Sequence, residues 1–485
     1  MSADSLLDSS IEAMAAALRA GEVSSEQLTQ AALARAGAEQ GRLNAFLRLR
    51  TEAALAQARQ CDADAAAGLW HGPLHGIPLA HKDCFERVGE TMTLGSAVPG
   101  PPVGTTTAVA LQRLGRAGAV DIGTLNMSEM VAGPTGQNPH FGDCCNAWDP
   151  QRISGGSSSG SASAVAAGVV PASLGSDTGG SVRLPASMQG LFGLKPTYGR
   201  VARRGCYPRA YSLECVGPLA RSVRDCALLL QAVAGHDPAD ATSIDAPVPD
   251  YLAALASQAA GSRIAVLETG VELDAQVAAA FERFIAMAGA RYGAAPRVGF
   301  DALPACYAMA DVFSKVEAAA LHAPWMRQHP MAYSQAVFSR TEPGLHIPAV
   351  RYLEALTVRA QILREFVAGP MGGADVLLLP TLPVPVPTRV EADVEAAGRV
   401  FGVVARLTAL TRPFSYLGLP VLNLPIGLDA AGMPIGVQMV GRPFGEARLL
   451  AMADALSADL GWRAATRRGV APVISSTTTS SSSSS

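Results

Sequence analysis

Residues 155 to 183 constrain the fold of this chain more than any other stretch. They open as Gly155-Gly156-Ser157-Ser158-Ser159-Gly160-Ser161 and continue through a small-residue run to Gly175. They close as Ser176-Asp177-Thr178-Gly179-Gly180-Ser181-Val182-Arg183. Gly/Ser tracts are commonly solvated linkers. Here the two tracts enclose the apolar run from Ala162 to Leu174 and lead into Val182-Arg183-Leu184-Pro185, which a linker would not do. The arrangement gathers hydroxyls and backbone N–H groups close in sequence, as a serine nucleophile and an oxyanion hole require.

The rest of the chain bounds the answer. Its 485 residues are 49% hydrophobic, enough for a large core. Length alone allows up to three domains, although large α/β enzymes often form one. A net charge of −3 gives no broad footprint for nucleic acid or an anionic membrane. No apolar run approaches the roughly 18 residues of a spanning helix, and Met1-Ser2-Ala3-Asp4 has no basic region ahead of an apolar segment, so no secretory signal is expected. Apart from Cys144-Cys145 the eight Cys are scattered and lack CxxC spacing. A reduced, cytoplasmic protein without metal or cofactor is the expectation.

Only three of the 38 Lys and Arg residues are lysines: Lys82, Lys195 and Lys315. Where a generic positive charge suffices, this chain uses Arg, so each lysine needs a reason. The best chemical one is that Lys can lose its proton and Arg effectively cannot.

Strand and helix patterns alternate along the chain, which argues for an α/β sheet. Ser10 and Ser25 precede amphipathic helices, and Thr51 to Ala66 reads as a third. Gly76 to Asp83 reads as a short strand with Lys82 near its end, Thr106 to Ala117 as a helix, and Ala119 to Gly123 as a buried strand. Ser222 and Asp225 open a helix ending at Gly235. Residues 274 to 365 read as largely helical, with loops near Pro330 and Pro343. Further strands are expected at 263–267, 375–380, 421–425 and 436–440, then a closing helix from Glu446 to Leu456.

Hydrolysis of an unactivated amide needs a nucleophile, a base that also protonates the leaving amine, and donors for the oxyanion. Glycines in Gly179-Gly180-Ser181 let consecutive N–H groups face one point. Ser181 would attack a carbonyl held by the N–H groups of Thr178, Gly179, Gly180 and Ser181 itself. Neither cluster holds a His, and Lys82 stands in the nearest suggestive strand. Ser157 is placed to relay a proton between Lys82 and Ser181.

These motifs together resemble the amidase signature family. The resemblance rests on Gly155-Gly156-Ser157-Ser158, the segment from Gly175 to Arg183, and Gly193-Leu194-Lys195-Pro196-Thr197-Tyr198-Gly199-Arg200. It extends to Ile77-Pro78 through Lys82-Asp83, Asn126-Met127-Ser128-Glu129, Val216 to Arg221, Asp375 to Thr381 and Gly418 to Gln438. An ordered series of motifs is far more specific than a single glycine pattern.

The resemblance implies one domain over residues 1–470, built on a large mixed, twisted β-sheet with helices on both faces. Its signature core would occupy about 70–240 and 370–455, and a variable helical cap about 274–365. A Ser/Thr tail, 471–485, would lie outside the fold. It also implies a triad of Ser181 as nucleophile, Ser157 as a bridging serine with a cis peptide bond, and Lys82 as base. The 24-residue separation of the two serines fits. To act as a base Lys82 must be neutral, so it should be buried. Three positions depart from the family pattern: Ser159 replaces a usual Gly, His81 a common apolar residue, and Glu214 a frequent Asp.

Other readings weigh less. Gly156-Ser157-Ser158-Ser159-Gly160 fits a nucleophile elbow with Ser158 as nucleophile, but the preceding Asp149-Pro150-Gln151-Arg152 is polar where that motif needs a buried strand. His71 and His75 have metal-like spacing, yet the glycines and proline around them argue for structural or surface roles. Lys195 reads as structural, paired with an acidic neighbour, and Cys144 and Cys145 as buried hydrophobes.

The expected reaction is hydrolysis of a small-molecule amide, or of an ester or carbamate by the same acyl-enzyme. The alternative is an amidotransferase A-type subunit supplying ammonia within a heteromeric complex. Residues 322–345 lack the Tyr-rich segment associated with such subunits, which favours a free-standing hydrolase; a homodimer is one option for its assembly. A non-catalytic scaffold is disfavoured because Lys82, Ser157 and Ser181 are all present. The pocket is expected to include Met127, Ser128 and Gly133, capped by 305–345. Met309, Phe313, Trp325, Met331 and Phe338 hint there at an apolar group, though core packing explains them equally well.

Overall fold

The computed structural model describes residues 2–99, 103–396 and 398–462. The Ser/Thr tail and the end of the expected domain at 470 lie outside the described residues.

Eight strands form one mixed sheet. Its order is Ala172–Asp177, Cys215–Ala220, Phe192–Lys195, Val421–Leu428, Pro434–Gly441, Val376–Pro380, Ile264–Glu268 and Arg297–Gly299. Neighbours are antiparallel up to Val376–Pro380, and the last three strands are parallel. Side chains alternate between the faces of a strand, and this sheet carries a core on each face. From Val376–Pro380, Val376 and Leu378 join one core while Leu377 and Leu379 join the other. Ile264 and Val266 likewise oppose Ala265 and Leu267. Strands buried on both faces read as continuous apolar runs, which is the pattern of Val-Leu-Leu-Leu-Pro at 376–380.

A second, three-stranded sheet was not anticipated. It has the order Phe46–Leu49, Val120–Leu125, Pro78–Lys82, the last pair parallel. Lys82 therefore belongs to this small sheet and reaches the large one only through its side chain.

Side-chain caps begin several of the helices. Ser10 caps Ile11–Arg19 by accepting from the Ala13 N–H. The second cap is Ser24, one residue before the expected Ser25, and forms a capping box with Gln27. Ser25 N instead donates to Asp62 at 2.7 Å. Ser222 caps Val223–Val233 as expected.

The region 274–365 contains helices Ala275–Tyr292, Leu303–Gln328 and Gln335–Thr341, and the start of Ala349–Ala368. It also supplies the edge strand Arg297–Gly299, hidden from sequence reading by its three-residue length and mostly exposed surface. Two short helices near the site, Val400–Thr408 and Arg412–Leu417, were not expected; the first has no side-chain cap, and the second is marked only by Pro413 in its first turn and the left-handed Gly418 at its end.

Candidate active site

Lys82 ends a strand whose five residues are all buried. Its Nζ donates to Ser157 Oγ at 2.7 Å and to Ser176 Oγ at 2.9 Å. Among the described residues it makes no ion pair. Ser157 follows a cis Gly156–Ser157 peptide bond and is fully buried. Ser176 lies near the end of strand Ala172–Asp177, so Lys82 ties the small sheet to the large one at this point.

Ser181 sits in the turn between that strand and helix Arg183–Met188. Asp177 holds the turn: its carboxylate accepts from the N–H groups of Gly180 at 2.7 Å and Val182 at 3.1 Å. It also takes two guanidinium bonds from Arg183, each 3.0 Å. Burial pushes the Asp177 carboxyl up, but the Arg183 charge and these hydrogen bonds outweigh it and hold it at about 2. Arg183 is fully buried and also donates to Thr411 O, Gln438 and Ser415.

The N–H of Gly180 is thereby occupied, which corrects its expected place among the oxyanion donors. Those of Thr178, Gly179 and Ser181 make no hydrogen bond among the described residues. Gly179 and Ser181 are the partly exposed members of this turn and line a narrow cavity that also touches Gly156 and Thr178. Ser157 and Ser181 are not hydrogen-bonded to each other. Their segments meet through the Ser158 N–H, which donates to Ser181 O at 3.3 Å.

The family model for Amidase matches residues 27–450. The chain belongs to the amidase family. The A-type subunit of glutamyl-tRNA(Gln) amidotransferase from Moorella thermoacetica is 39% identical over 432 residues, covering 84% of this chain and 87% of its own length. A solved structure from work on a vestigial protein complex and the origins of an s-triazine catabolic enzyme superposes with a TM-score of 0.87. It is 34% identical and covers 94% of this chain and 99% of that one. Native peptide amidase from Stenotrophomonas maltophilia superposes with a TM-score of 0.80 at 27% identity, covering 97% and 100%. This amidase-family chain is thus an enzyme acting on amide C–N bonds, and its large mixed sheet with helical layers is the family's fold.

Within the amidase site the remaining expected residues separate. Gly133 lies in the cavity wall. Ser128 stands just behind: a Cβ on Gly156 would meet its Oγ at 2.5 Å, and that Oγ is buried without a partner. Met127 packs in the core away from the wall, its carbonyl accepting from Asn138 at 2.9 Å.

The apolar cap also needs correcting. Phe313 packs against Tyr352 and Tyr416, Trp325 stacks on Tyr207, and Met331 is 93% exposed. Residues 305–345 instead give the cavity Ala310, Ser314 and Arg340.

The three departures are structural. His81 accepts from Leu174 N at 3.1 Å, and burial takes its imidazole down to about 4. It is therefore a neutral acceptor pointing away from Lys82, as the next residue along a strand must. Ser159 donates to Asn126 O at 3.3 Å. Glu214 accepts from Thr178 Oγ1 at 2.5 Å and from Arg209 N at 2.8 Å, and burial raises its carboxyl.

Lys195 donates to Pro196 O at 2.9 Å and Cys215 Sγ at 3.7 Å; no acidic partner is within ion-pair range among the described residues, against expectation. The ring nitrogen Nε2 of His71 meets Asp64 and that of His75 meets Cys61 O. Among the described residues no cluster of three His, Cys, Asp or Glu could hold a metal, and no helix is long and apolar enough to cross a membrane.

Sequence reasoning missed Ser176, one of several hydroxyls in a Ser-rich tract, and Arg209 and Arg412, which join the site from distant segments. For Asp177 and Arg183 there was a usable signal: opposite charges six apart inside a Gly/Ser stretch, where neither is needed for solubility.

Proposed function

We propose that the chain hydrolyses a carboxylic amide through an ester formed on Ser181. The observation that supports this is Lys82: fully buried, without an ion-pair partner among the described residues, and hydrogen-bonded to Ser157 beside the Ser181 turn. In its neutral form Lys82 accepts a proton from Ser157 as Ser157 takes that of Ser181. The Ser181 Oγ–carbon bond forms, and the oxyanion is received by the N–H groups of Thr178, Gly179 and Ser181. The same chain of groups then returns the proton to the nitrogen as the C–N bond breaks, releasing ammonia or an amine. Water then adds to the ester as its proton passes through Ser157 to neutral Lys82; the carbon–Oγ bond breaks, the proton returns to Ser181 Oγ, and the acid leaves. Mass spectrometry of a quenched reaction should find the acyl group on the peptide containing Ser181. An acyl adduct elsewhere, or undiminished turnover by Ser181→Ala, would end this reading.

The curated relatives favour a second reading over the free-standing hydrolase expected from sequence. Several of them, at 36–39% identity over 84–92% of this chain, carry the name of the A-type subunit of glutamyl-tRNA(Gln) amidotransferase. On that reading the amide is glutamine and the ammonia passes to partner subunits rather than to solvent. Glutamine hydrolysis that appears only with those subunits present would establish it; turnover of other amides by the isolated chain would favour the first.

A further inference from the structure

The cavity that holds Ser181 is strongly cationic. Arg209, Arg340 and Arg412 all line it, and they come from three separate segments. They flank the nucleophile on two sides. A Cβ on Gly179 would lie 3.6 Å from Arg412 Nε, and one on Gly133 would lie 4.0 Å from Arg340 Nη1.

Counter-charge is short. Among the described residues Asp311 is the one carboxylate ion-paired here, and it is shared: Oδ1 meets Arg412 at 2.8 Å and Oδ2 meets Lys315 at 2.6 Å. Arg412 also lies over the Tyr307 ring. Arg209 donates to Thr341 Oγ1 at 3.0 Å and to Arg340 O at 3.3 Å, both uncharged, and its Nε is buried with no partner. Among the described residues neither Arg209 nor Arg340 has a carboxylate within ion-pair distance. Glu214 acts on Arg209 electrostatically without pairing with its guanidinium: its Oε2 accepts from Thr178 Oγ1 and the Arg209 backbone N–H, and its Oε1 is buried without a partner.

The electrostatics agree with the geometry. Burial, then the charges of Arg209 and Arg412, draw Arg340 down to about 9, and burial, then Arg412, draws Arg209 to about 10. Guanidinium groups keep their protons at neutral pH, so what these shifts express is charge that lacks a partner. Buried charge is retained only when it is compensated.

We propose that the amide opened at Ser181 is small and carries two carboxylates, which seat on Arg209, Arg340 and Arg412. Two arginines lack an acidic partner among the described residues, and the planar guanidinium fork matches a carboxylate. A zwitterion such as glutamine fits less well, because its ammonium would meet only Asp311, already bridged by two cations. The inference rests on Ser181 being the nucleophile.

The test uses a neutral aryl carbamate that transfers its carbamoyl group to Ser181 Oγ with release of the phenol. Propionamide (neutral), succinamate (one negative charge), the central monoamide of tricarballylate (two) and glutamine compete against this labelling. The dicarboxylate amide should protect Ser181 at concentrations at least about tenfold below the neutral amide and glutamine. Its advantage should shrink as salt rises from about 0.05 to about 0.5 M. Arg340→Gln and Arg209→Gln should each cut that advantage at least about fivefold, and Arg340→Lys should restore part of it.

If labelled Ser181 is protected equally well by propionamide or glutamine, the inference falls while the serine mechanism stands. If the carbamate labels the protein elsewhere, both fall. Should the Gln variants not fold, the ranking and salt dependence in the unaltered protein decide alone.

Discussion

Lys82 Nζ lies 2.7 Å from Ser157 Oγ although the two residues are 75 apart in the chain and sit on separate elements. The contact joins the three-stranded sheet to the segment that meets the Ser181 turn, and Ser176 completes it from the large sheet. Replacing Lys82 by Ala removes the amine that reaches both serines. Activity should fall by at least about three orders of magnitude, as for loss of a catalytic base. An unchanged circular dichroism spectrum and melting profile would assign the loss to chemistry. Turnover within tenfold of the parent would remove Lys82 from the mechanism.

Ser176 holds the lysine without touching substrate, so it is a positioning residue. Ser176→Ala leaves Lys82 one of its two hydroxyl acceptors. A fall in kcat of about ten- to a hundredfold is expected, with KM little changed. A rise in KM with kcat unchanged would make Ser176 merely structural.

Much of this was legible in sequence because the site's identity lies in ordered local motifs. Strand Pro78–Lys82 falls inside the stretch Gly76 to Asp83 where patterning puts it, and helix Thr51–Ala66 has the expected bounds. What failed was long-range geometry. The Gly180 N–H looks like any free amide of a glycine turn, and only the fold reveals Asp177 beneath it. The aromatic residues of 305–345 suggested an apolar pocket because sequence does not say which helix face meets the cavity. Arg340, lacking any motif, is what that segment presents instead.

The Asp177–Arg183 pair holds the turn that carries Ser181 and has no access to solvent. Asp177→Asn would leave a buried guanidinium without its counter-charge, at a cost of about 3–5 kcal/mol. A matching drop in unfolding free energy from urea titration at pH 7 is the expected result. The carboxyl is depressed in the folded state, so its contribution is present above the ordinary carboxylate range and is lost as pH falls toward about 2. The variant should therefore show a flatter stability profile below pH 4 than the parent. A loss under about 1 kcal/mol would mean that Arg183 finds compensation elsewhere.

His81 sets a second pH dependence, of the same sign. Its folded value of about 4 lies below the ordinary 6.5, so the unfolded chain binds a proton first as pH falls. Stability supplied by the neutral ring is intact above pH 6.5 and is lost between there and about 4. A gap of about 2.5 units corresponds to about 3 kcal/mol for this group. His81→Gln can still accept from Leu174 N but does not titrate. Its urea midpoint should vary less than the parent's between pH 7 and 5, and parallel profiles would show that His81 contributes nothing to acid sensitivity.

Gly155 fixes where the Ser157 segment passes helix Arg183–Met188. Its φ is +80°, and an added Cβ would lie 2.5 Å from Pro185 Cα, a backbone atom in the first turns of helix Arg183–Met188. A side chain there must push the Ser157 segment away from the Ser181 turn, since neither backbone can rotate aside. Gly270 supplies the control, because its φ is +69° but nothing lies within 4 Å of an added Cβ. Gly270→Ala should cost only the left-handed backbone penalty, about 1 kcal/mol. Gly155→Ala should cost at least about 2 kcal/mol more, comparable to overpacking a core. It should also lower kcat in the fraction that folds. Equal losses for the two variants, read from urea midpoints, would mean that the close approach at Pro185 does not hold the two serine segments together.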